Sequence, residues 1–268
     1  MSLSTDRGSE VMESIPLFSV REIKKIYKDK SNWFKKGRTV EIGPVSFDLH
    51  RGETLAIVGE AGSGKSTVGR LLAGAELPDG GKLYLGDDEV NWNDSKFFCQ
   101  NIRMIFQDSQ KSLNPTVRIG DQLEQPLLFN TRLNKEQRLE RINNALRKVG
   151  LLPEHANYYP HMFSGGQAQR IGIARALILD PQVVIIDEAL APLDPSLRAQ
   201  VINLLLELQE TLQLTYVLIS HQISLVRYLS DRIMIMDQGK IIEAGTIDDV
   251  FETPKHAKTQ KLLKSLDM

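Results

Sequence analysis

The chain has a single cysteine, Cys99, in 268 residues. One thiol cannot build an internal disulfide framework or an all-cysteine metal cluster. No apolar stretch approaches the roughly 18 residues of a membrane span. The N-terminus, Met-Ser-Leu-Ser-Thr-Asp-Arg-Gly-Ser-Glu, lacks the apolar core of a signal peptide, and residues 1–14 are expected to form a disordered tail. Neither charge sign is in excess: 33 Lys and Arg against 34 Asp and Glu leave a net charge of −1. Without a basic field, nucleic acid is not expected as a partner. Internal repeats and low-complexity segments are also missing. What remains is the composition of an ordinary soluble globular chain, 41% hydrophobic and 25% charged. Any membrane role is expected to come through a partner.

What is present begins with Gly59-Glu60-Ala61-Gly62-Ser63-Gly64-Lys65-Ser66, which fits the phosphate-loop pattern G-x-x-x-x-G-K-[ST] at every fixed position. The apolar run 54–58 before it reads as a buried strand. Val68, Leu71 and Leu72 after it are spaced as one face of a short helix ending near Gly74. A bare glycine turn before a helix is the simpler alternative. The strand–loop–helix context favours phosphate binding: the glycines turn backbone N–H groups inward and the helix N-terminus adds positive potential. Lys65 supplies charge for the β- and γ-phosphates, Ser66 offers an oxygen to Mg²⁺, and Thr67 completes the nucleotide-binding set.

Val183-Val184-Ile185-Ile186 followed by Asp187 and Glu188 is a second element. A buried parallel strand ending in acids sets them at the carboxyl edge of the sheet, where open α/β folds bind ligands. Asp187 is expected to serve Mg²⁺, either as a direct ligand or through a group that itself touches the ion. Glu188 points elsewhere and suits an attacking water. Further strands are expected at 17–20, 45–49, 82–85, 103–106, 215–219 and 233–236. Between 112 and 162 strand runs vanish. Leu139, Ile142, Leu146 and Val149 lie at helical spacing, with Asn134 and Gln137 able to cap that helix and Gly150 to end it. Asp194-Pro195 reads as a helix start carried on by Val201, Leu205, Leu208 and Leu212. Strands alternating with helices imply an α/β fold whose sheet is covered on both faces.

Phe163-Ser164-Gly165-Gly166-Gln167 narrows the chemistry. Ser164 and Gln167 form a capping box, but a cap does not explain two glycines in the first turn, each costing about 1 kcal/mol inside a helix. Exposed amides there make a second anion site.

With these motifs in this order, the chain resembles the ATP-binding subunits of ABC transporters over about residues 17–263. Phe163 stands where that family usually has Leu. The resemblance implies a P-loop ATPase with a mixed sheet core, an inserted α-helical subdomain and an N-terminal antiparallel β subdomain. It also implies ATP and Mg²⁺ as cofactors. By the same resemblance Gln107 touches Mg²⁺ and the attacking water, His221 contacts the γ-phosphate, Asp194 lies in the loop crossing the dimer, and Tyr27 stacks on adenine. Two such chains close head-to-tail, each signature helix capping its partner's ATP. The implied partners are a second ATPase subunit, two transmembrane permeases and an extracytoplasmic substrate-binding protein. The implied place is the cytoplasmic face of the inner membrane.

"SLNP" at 112–115, "GLLPEHANYYPHMFSGGQ" at 150–167 and "DEALAPLD" at 187–194 look most like the peptide-transporter group, in particular the branch linked with antimicrobial-peptide resistance. Gln222 replaces the acid usual after the histidine, and Pro192 stiffens its loop. A slowly hydrolysing regulatory subunit therefore stays open, and a non-transport ABC ATPase is a separate alternative. A GTPase is disfavoured, since Asn134-Lys135-Glu136-Gln137 fails the N-K-x-D pattern at its acid. The expected layout is one domain over 15–268: a β-rich core to 110, a helical subdomain over 111–178, and a core continuation with a C-terminal tail.

Overall fold

The computed structural model describes residues 15–28, 39–106 and 112–264. The expected tail at 1–14 and Gln107 lie outside the described residues.

In β1 (Phe18–Lys28) and β2 (Thr39–Leu49), apolar side chains alternate inward against charged ones. The sequence pattern ends β1 at Val20, because Arg21, Glu22, Lys24 and Lys25 interrupt it. The structure instead has a bulge between Val20 and Ile23, with Glu22 at φ 52°. One extra residue restores the inward register at Ile23, so the strand continues. The chain then runs through β3 (Thr54–Val58), α1 (Lys65–Leu72), β4 (Gly80–Leu85), β5 (Asp88–Glu89), α2 (Ser95–Asn101) and β6 (Ile102–Ile105). Helices α3 (Ile119–Asn130), α4 (Lys135–Lys148) and α5 (Gly165–Leu177) follow, with 3₁₀ turns at Pro153–Asn157 and Pro160–Met162. The last part is β7 (Val183–Asp187), α6 (Pro195–Leu212), β8 (Thr215–Ser220), α7 (Ile223–Leu229), β9 (Arg232–Asp237), β10 (Lys240–Thr246), α8 (Ile247–Glu252) and α9 (Ala257–Lys264).

Among the described residues the strands form two sheets. The antiparallel one has the order β2-β1-β4-β5; the mixed one has the order β10-β9-β3-β8-β7-β6 and is parallel except where β10 meets β9. The period of two along the central strands divides the interior. Leu55 and Ile57 of β3, Val183 and Ile185 of β7, and Val217 and Ile219 of β8 face α1 and the antiparallel sheet. Ala56 and Val58, Val184 and Ile186, and Tyr216 and Leu218 face the helical side. Burial on both faces is why these strands are unbroken apolar runs. Their parallel direction brings the ends of β3, β7 and β8 to one edge, with Val58 opposite Ser220 and Asp187 opposite Ile219.

The α4 helix starts as its residues predict. Asn134 Oδ1 accepts from the Gln137 N–H at 2.9 Å, and Gln137 Oε1 accepts from the Asn134 N–H at 2.9 Å. Ile142, Leu146 and Val149 are buried, but Leu139 is 56% exposed, contrary to the periodicity. Arg138 takes the inward place, donating to Glu124 at 2.8 Å and to the Leu133 carbonyl at 2.6 Å. In α6 likewise Leu204 is buried, whereas Leu212, at the last residue of the helix, is 36% exposed. Leu146 is fully enclosed, so Leu146→Ala is expected to cost about 2–5 kcal/mol, read by urea unfolding. No helix of the described residues is long and apolar enough to cross a membrane.

Candidate nucleotide site

The loop after β3 turns into α1 at Gly64, whose φ of 104° is left-handed and whose absent Cβ would lie 2.8 Å from Ile42 Cδ1. Only glycine meets both conditions without strain. Glu60, Ala61 and Gly62 form the exposed tip, while Ser63 and Lys65 are buried. The hairpin between β9 and β10 buttresses the loop, Gly239 N–H donating to the Ser63 carbonyl at 2.9 Å. Lys65 Nζ donates to the carbonyls of Gly59 at 2.9 Å and Glu60 at 2.8 Å. Burial lowers the pKa of Lys65, and the charges of Glu188 and Asp187 oppose that shift. A desolvated ammonium resting on neutral carbonyls gains charge-assisted bonds when a phosphate replaces them.

Asp187 ends β7 with its Oδ1 accepting from Ser66 Oγ at 3.0 Å. Burial pushes its pKa up, the Ser66 hydrogen bond pulls it down, and Glu188 pushes it up again. A hydroxyl and a carboxylate converging at the phosphate loop are hard oxygen donors of the kind Mg²⁺ uses together with nucleotide phosphates. Glu188 has a left-handed φ of 49°, a conformation worth about 1–3 kcal/mol of strain in a non-glycine residue. That twist ends the strand, the Glu188 N–H donating to the Ile219 carbonyl at 3.0 Å. It also brings the carboxylate to His221, whose Nδ1 lies 3.1 Å from Glu188 Oε1. Lys65, Ser66, Asp187, Glu188 and His221 thus gather at one sheet edge.

The other expected residues stand apart from this group. Ser164 and Gln167 make their capping box at the start of α5, with bonds of 3.3 and 3.0 Å. Its glycines differ in cause: a Cβ on Gly166 would meet Leu197 Cδ2 at 2.8 Å, whereas one on Gly165 would meet nothing within 4 Å. Asp194 caps α6, Oδ1 accepting from the N–H groups of Ser196 and Leu197 at 3.0 Å each. Among the described residues no hydrogen bond or ion pair joins Ser164, Gly165, Gly166, Gln167 or Asp194 to the phosphate-loop group. Tyr27, near the outer end of β1, is 37% exposed, and its hydroxyl donates to Glu76 at 2.7 Å. Thr67 is buried, its Oγ1 accepting from Arg70 at 3.1 Å.

Arg198 has no signal in the sequence beyond a charge on a helix. Its Nη2 donates to the Leu193 carbonyl at 2.8 Å and the Ala191 carbonyl at 3.5 Å, pinning the turn after Glu188.

A family model described as "ABC transporter" matches residues 42–191. The chain is 47% identical, over 92% of its own length and 92% of the relative's, to a protein of Escherichia coli strain K12 named putrescine export system ATP-binding protein SapF. The counterpart from E. coli O6:H1, at the same identity, carries the name peptide transport system ATP-binding protein SapF. The dipeptide transport ATP-binding protein DppF of E. coli K12 is 49% identical, over 93% of this chain and 76% of that protein. Among solved structures, the dimeric post-hydrolysis ATP-binding cassette MJ0796 bound to ADP and Pi matches with a TM-score of 0.73 and 27% identity, covering 86% of this chain and 98% of that one. The strand–loop–helix around Lys65, the acids ending β7 and the glycine-paired cap of α5 accord with these matches: the chain belongs to the ABC transporter family, as one of its ATP-binding, ATP-hydrolysing subunits.

Proposed function

We propose that this subunit drives a peptide transporter by closing head-to-tail on a second ATPase subunit, each ATP held between the phosphate loop of one chain and the signature helix of the other. The observation that carries this is that, among the described residues, no hydrogen bond or ion pair joins the capped N-terminus of α5 to the Lys65 group at the sheet edge. The dimeric cassette bound to ADP and Pi supports it.

In this mechanism Lys65 leaves the Gly59 and Glu60 carbonyls for the β- and γ-phosphates, beside the loop amides. Ser66 and Asp187, joined by their hydrogen bond, would hold Mg²⁺, which when bound would supply positive charge against the triphosphate. Glu188 accepts the proton of the attacking water, and His221 keeps the Glu188 carboxylate oriented through their contact. The partner's signature-helix amides neutralise the γ-phosphate, as Ser164 and the first amides of α5 do for the partner's ATP, and Asp194 fixes the loop that crosses between chains. Tyr27 stacks on the adenine ring. Loss of the bridging phosphate lets the dimer reopen.

The membrane partners are two permeases, with an extracytoplasmic binding protein delivering substrate; the ATPase sits peripherally on the cytoplasmic face. A groove of about 520 Å³, lined by residues that include Arg103, Phe106, Gln125, Phe129 and Arg175, supports such a dock. Phe129 is 84% exposed at this groove, an apolar side chain without cover in the isolated chain. Peptides are the proposed cargo, following the names of DppF and of the SapF proteins. Polyamine export is the second reading, following the other name borne by SapF.

The test uses tagged Glu188→Gln protein in its native cell, with membranes solubilised in ATP and Mg²⁺. Multi-span permeases and a second ATPase are expected to co-purify. Recovery with ribosomes, with DNA or with no membrane protein overturns the transport reading. The wild-type complex in proteoliposomes then separates cargo: stimulation of ATP turnover by dipeptides supports the first reading, and by putrescine alone the second.

A further inference from the structure

The outer end of β1 is laced to the segment that follows α1. Arg70 sits in the last turn of that helix, and the chain reverses at Gly74, with φ 64°. The N–H groups of Ala75 and Glu76 both return to the Arg70 carbonyl, at 2.9 and 3.3 Å. The reversal sets the Glu76 carboxylate between three partners. Tyr27 donates its hydroxyl to Oε1 at 2.7 Å, Arg70 donates Nε to Oε2 at 3.3 Å, and Lys25 Nζ lies 3.9 Å from Oε1. Arg70 also reaches back along its helix, Nη2 donating to Thr67 Oγ1 at 3.1 Å. Beside them Lys25 Nζ donates to the Leu77 carbonyl at 2.6 Å, and the Ile26 N–H donates to Asp79 at 2.7 Å. Burial works against the charge of Arg70, but its hydrogen bonds to Tyr27 and Glu76 outweigh it and hold its pKa above the usual value.

We propose that Glu76, held by Arg70 and Lys25, is a positioning residue that fixes the Tyr27 ring for the nucleotide base and ties it to the helix carrying Lys65. This rests on Tyr27 being the base platform. Isolated ion pairs at a protein surface contribute little. Here the hydroxyl-to-carboxylate bond is charge-assisted, and the side chains of Glu76 and Lys25 are only 22% and 19% exposed. The chain Thr67–Arg70–Glu76–Tyr27 runs from two residues past the phosphate lysine to the aromatic ring. The two ends of one nucleotide are thus registered by a single helix. A ring fixed before binding loses less side-chain freedom when ATP docks. Releasing it is expected to weaken ATP binding by roughly two- to tenfold.

The experiment compares the dissociation constants of ATP and of tripolyphosphate, which fills the phosphate loop without a base, in the full chain with Mg²⁺. Tyr27→Phe keeps the ring and removes only the tether; Glu76→Ala removes it from the other side. Both are expected to weaken ATP two- to tenfold and leave tripolyphosphate unchanged. Glu76→Gln keeps an oxygen that can accept from Tyr27 and is expected to restore most of the ATP affinity. Parallel weakening of tripolyphosphate overturns the proposal, since it marks general damage to the loop. If Tyr27→Phe and Glu76→Ala bind ATP like wild type while Tyr27→Ala does not, the tether is wrong and the platform stands. If Tyr27→Ala also binds ATP normally, the platform itself is wrong.

Discussion

Replacing Glu188 by Gln is expected to slow ATP turnover by roughly a hundred- to ten-thousand-fold, the usual contribution of a positioned general base. ATP–Mg²⁺ binding is expected to survive, with a closed dimer accumulating. The amide has the shape of the carboxylate and keeps an oxygen facing His221 Nδ1, now 3.1 Å from Glu188 Oε1. It does not accept the proton of the attacking water. Lys65 loses one of the two carboxylates that support its charge but keeps Asp187, so the phosphate contacts persist. Phosphate release and size-exclusion chromatography in ATP measure the two halves of this expectation. Turnover near the wild-type rate would remove Glu188 from the role of base, and loss of ATP binding would show that the change had damaged the Lys65 group instead.

Gly165→Val is expected to leave the isolated chain intact and abolish its cooperation with a partner. A Cβ at Gly165 meets nothing within 4 Å, and valine is a slightly better helix residue than glycine. Stability is therefore expected to change by no more than about 0.5 kcal/mol, and monomeric ATP binding not at all. Added branches over the first amides of α5 would keep a partner's phosphate from reaching them. ATP-dependent dimerisation is expected to disappear and hydrolysis to fall by about a hundredfold or more, the scale of losing an oxyanion donor. Gly166→Val provides the contrast, because its Cβ would strike Leu197 at 2.8 Å within the same chain. That variant is expected to lose about 1–3 kcal/mol by overpacking. Thermal melts, nucleotide titration and phosphate release on both variants separate the two effects. Native hydrolysis by Gly165→Val would sink the head-to-tail arrangement.

Much of the site was legible because its signals are local. The phosphate loop, the acids after the run at 183–186, and the caps at Asn134, Ser164 and Asp194 each depend on a few neighbouring residues, and each cap formed as its spacing implied. The illegible parts depend on what lies across space. β1 looked finished at Val20 because a bulge cannot be seen in an alternation it breaks. Leu139 fits the apolar stripe of α4, yet the inward place went to Arg138, whose carboxylate partner lies 14 residues away on α3. Strand β10, with its mixed Lys-Ile-Ile-Glu-Ala-Gly-Thr, exists because β9 offers an edge for pairing.

The sequence alone therefore determined the chemistry on offer: a phosphate loop, an acid pair at a strand end, a capped glycine-paired helix, and the family that combines them. Those are patterns of a few residues whose backbone preferences and hydrogen-bonding capacity are set by covalent structure. Tertiary structure decided which of these groups share a site. Parallel pairing of β3, β7 and β8 brought Lys65, Asp187 and His221 to one edge, and the left-handed turn at Glu188 aimed its carboxylate at His221. Among the described residues, packing of α5 within the helical core left its N-terminus without a bond to them. The Glu76 tether and the Arg198 clamp belong to the same class, because the geometry of a hydrogen bond between residues distant in sequence exists only once the sheets and helices have closed on each other.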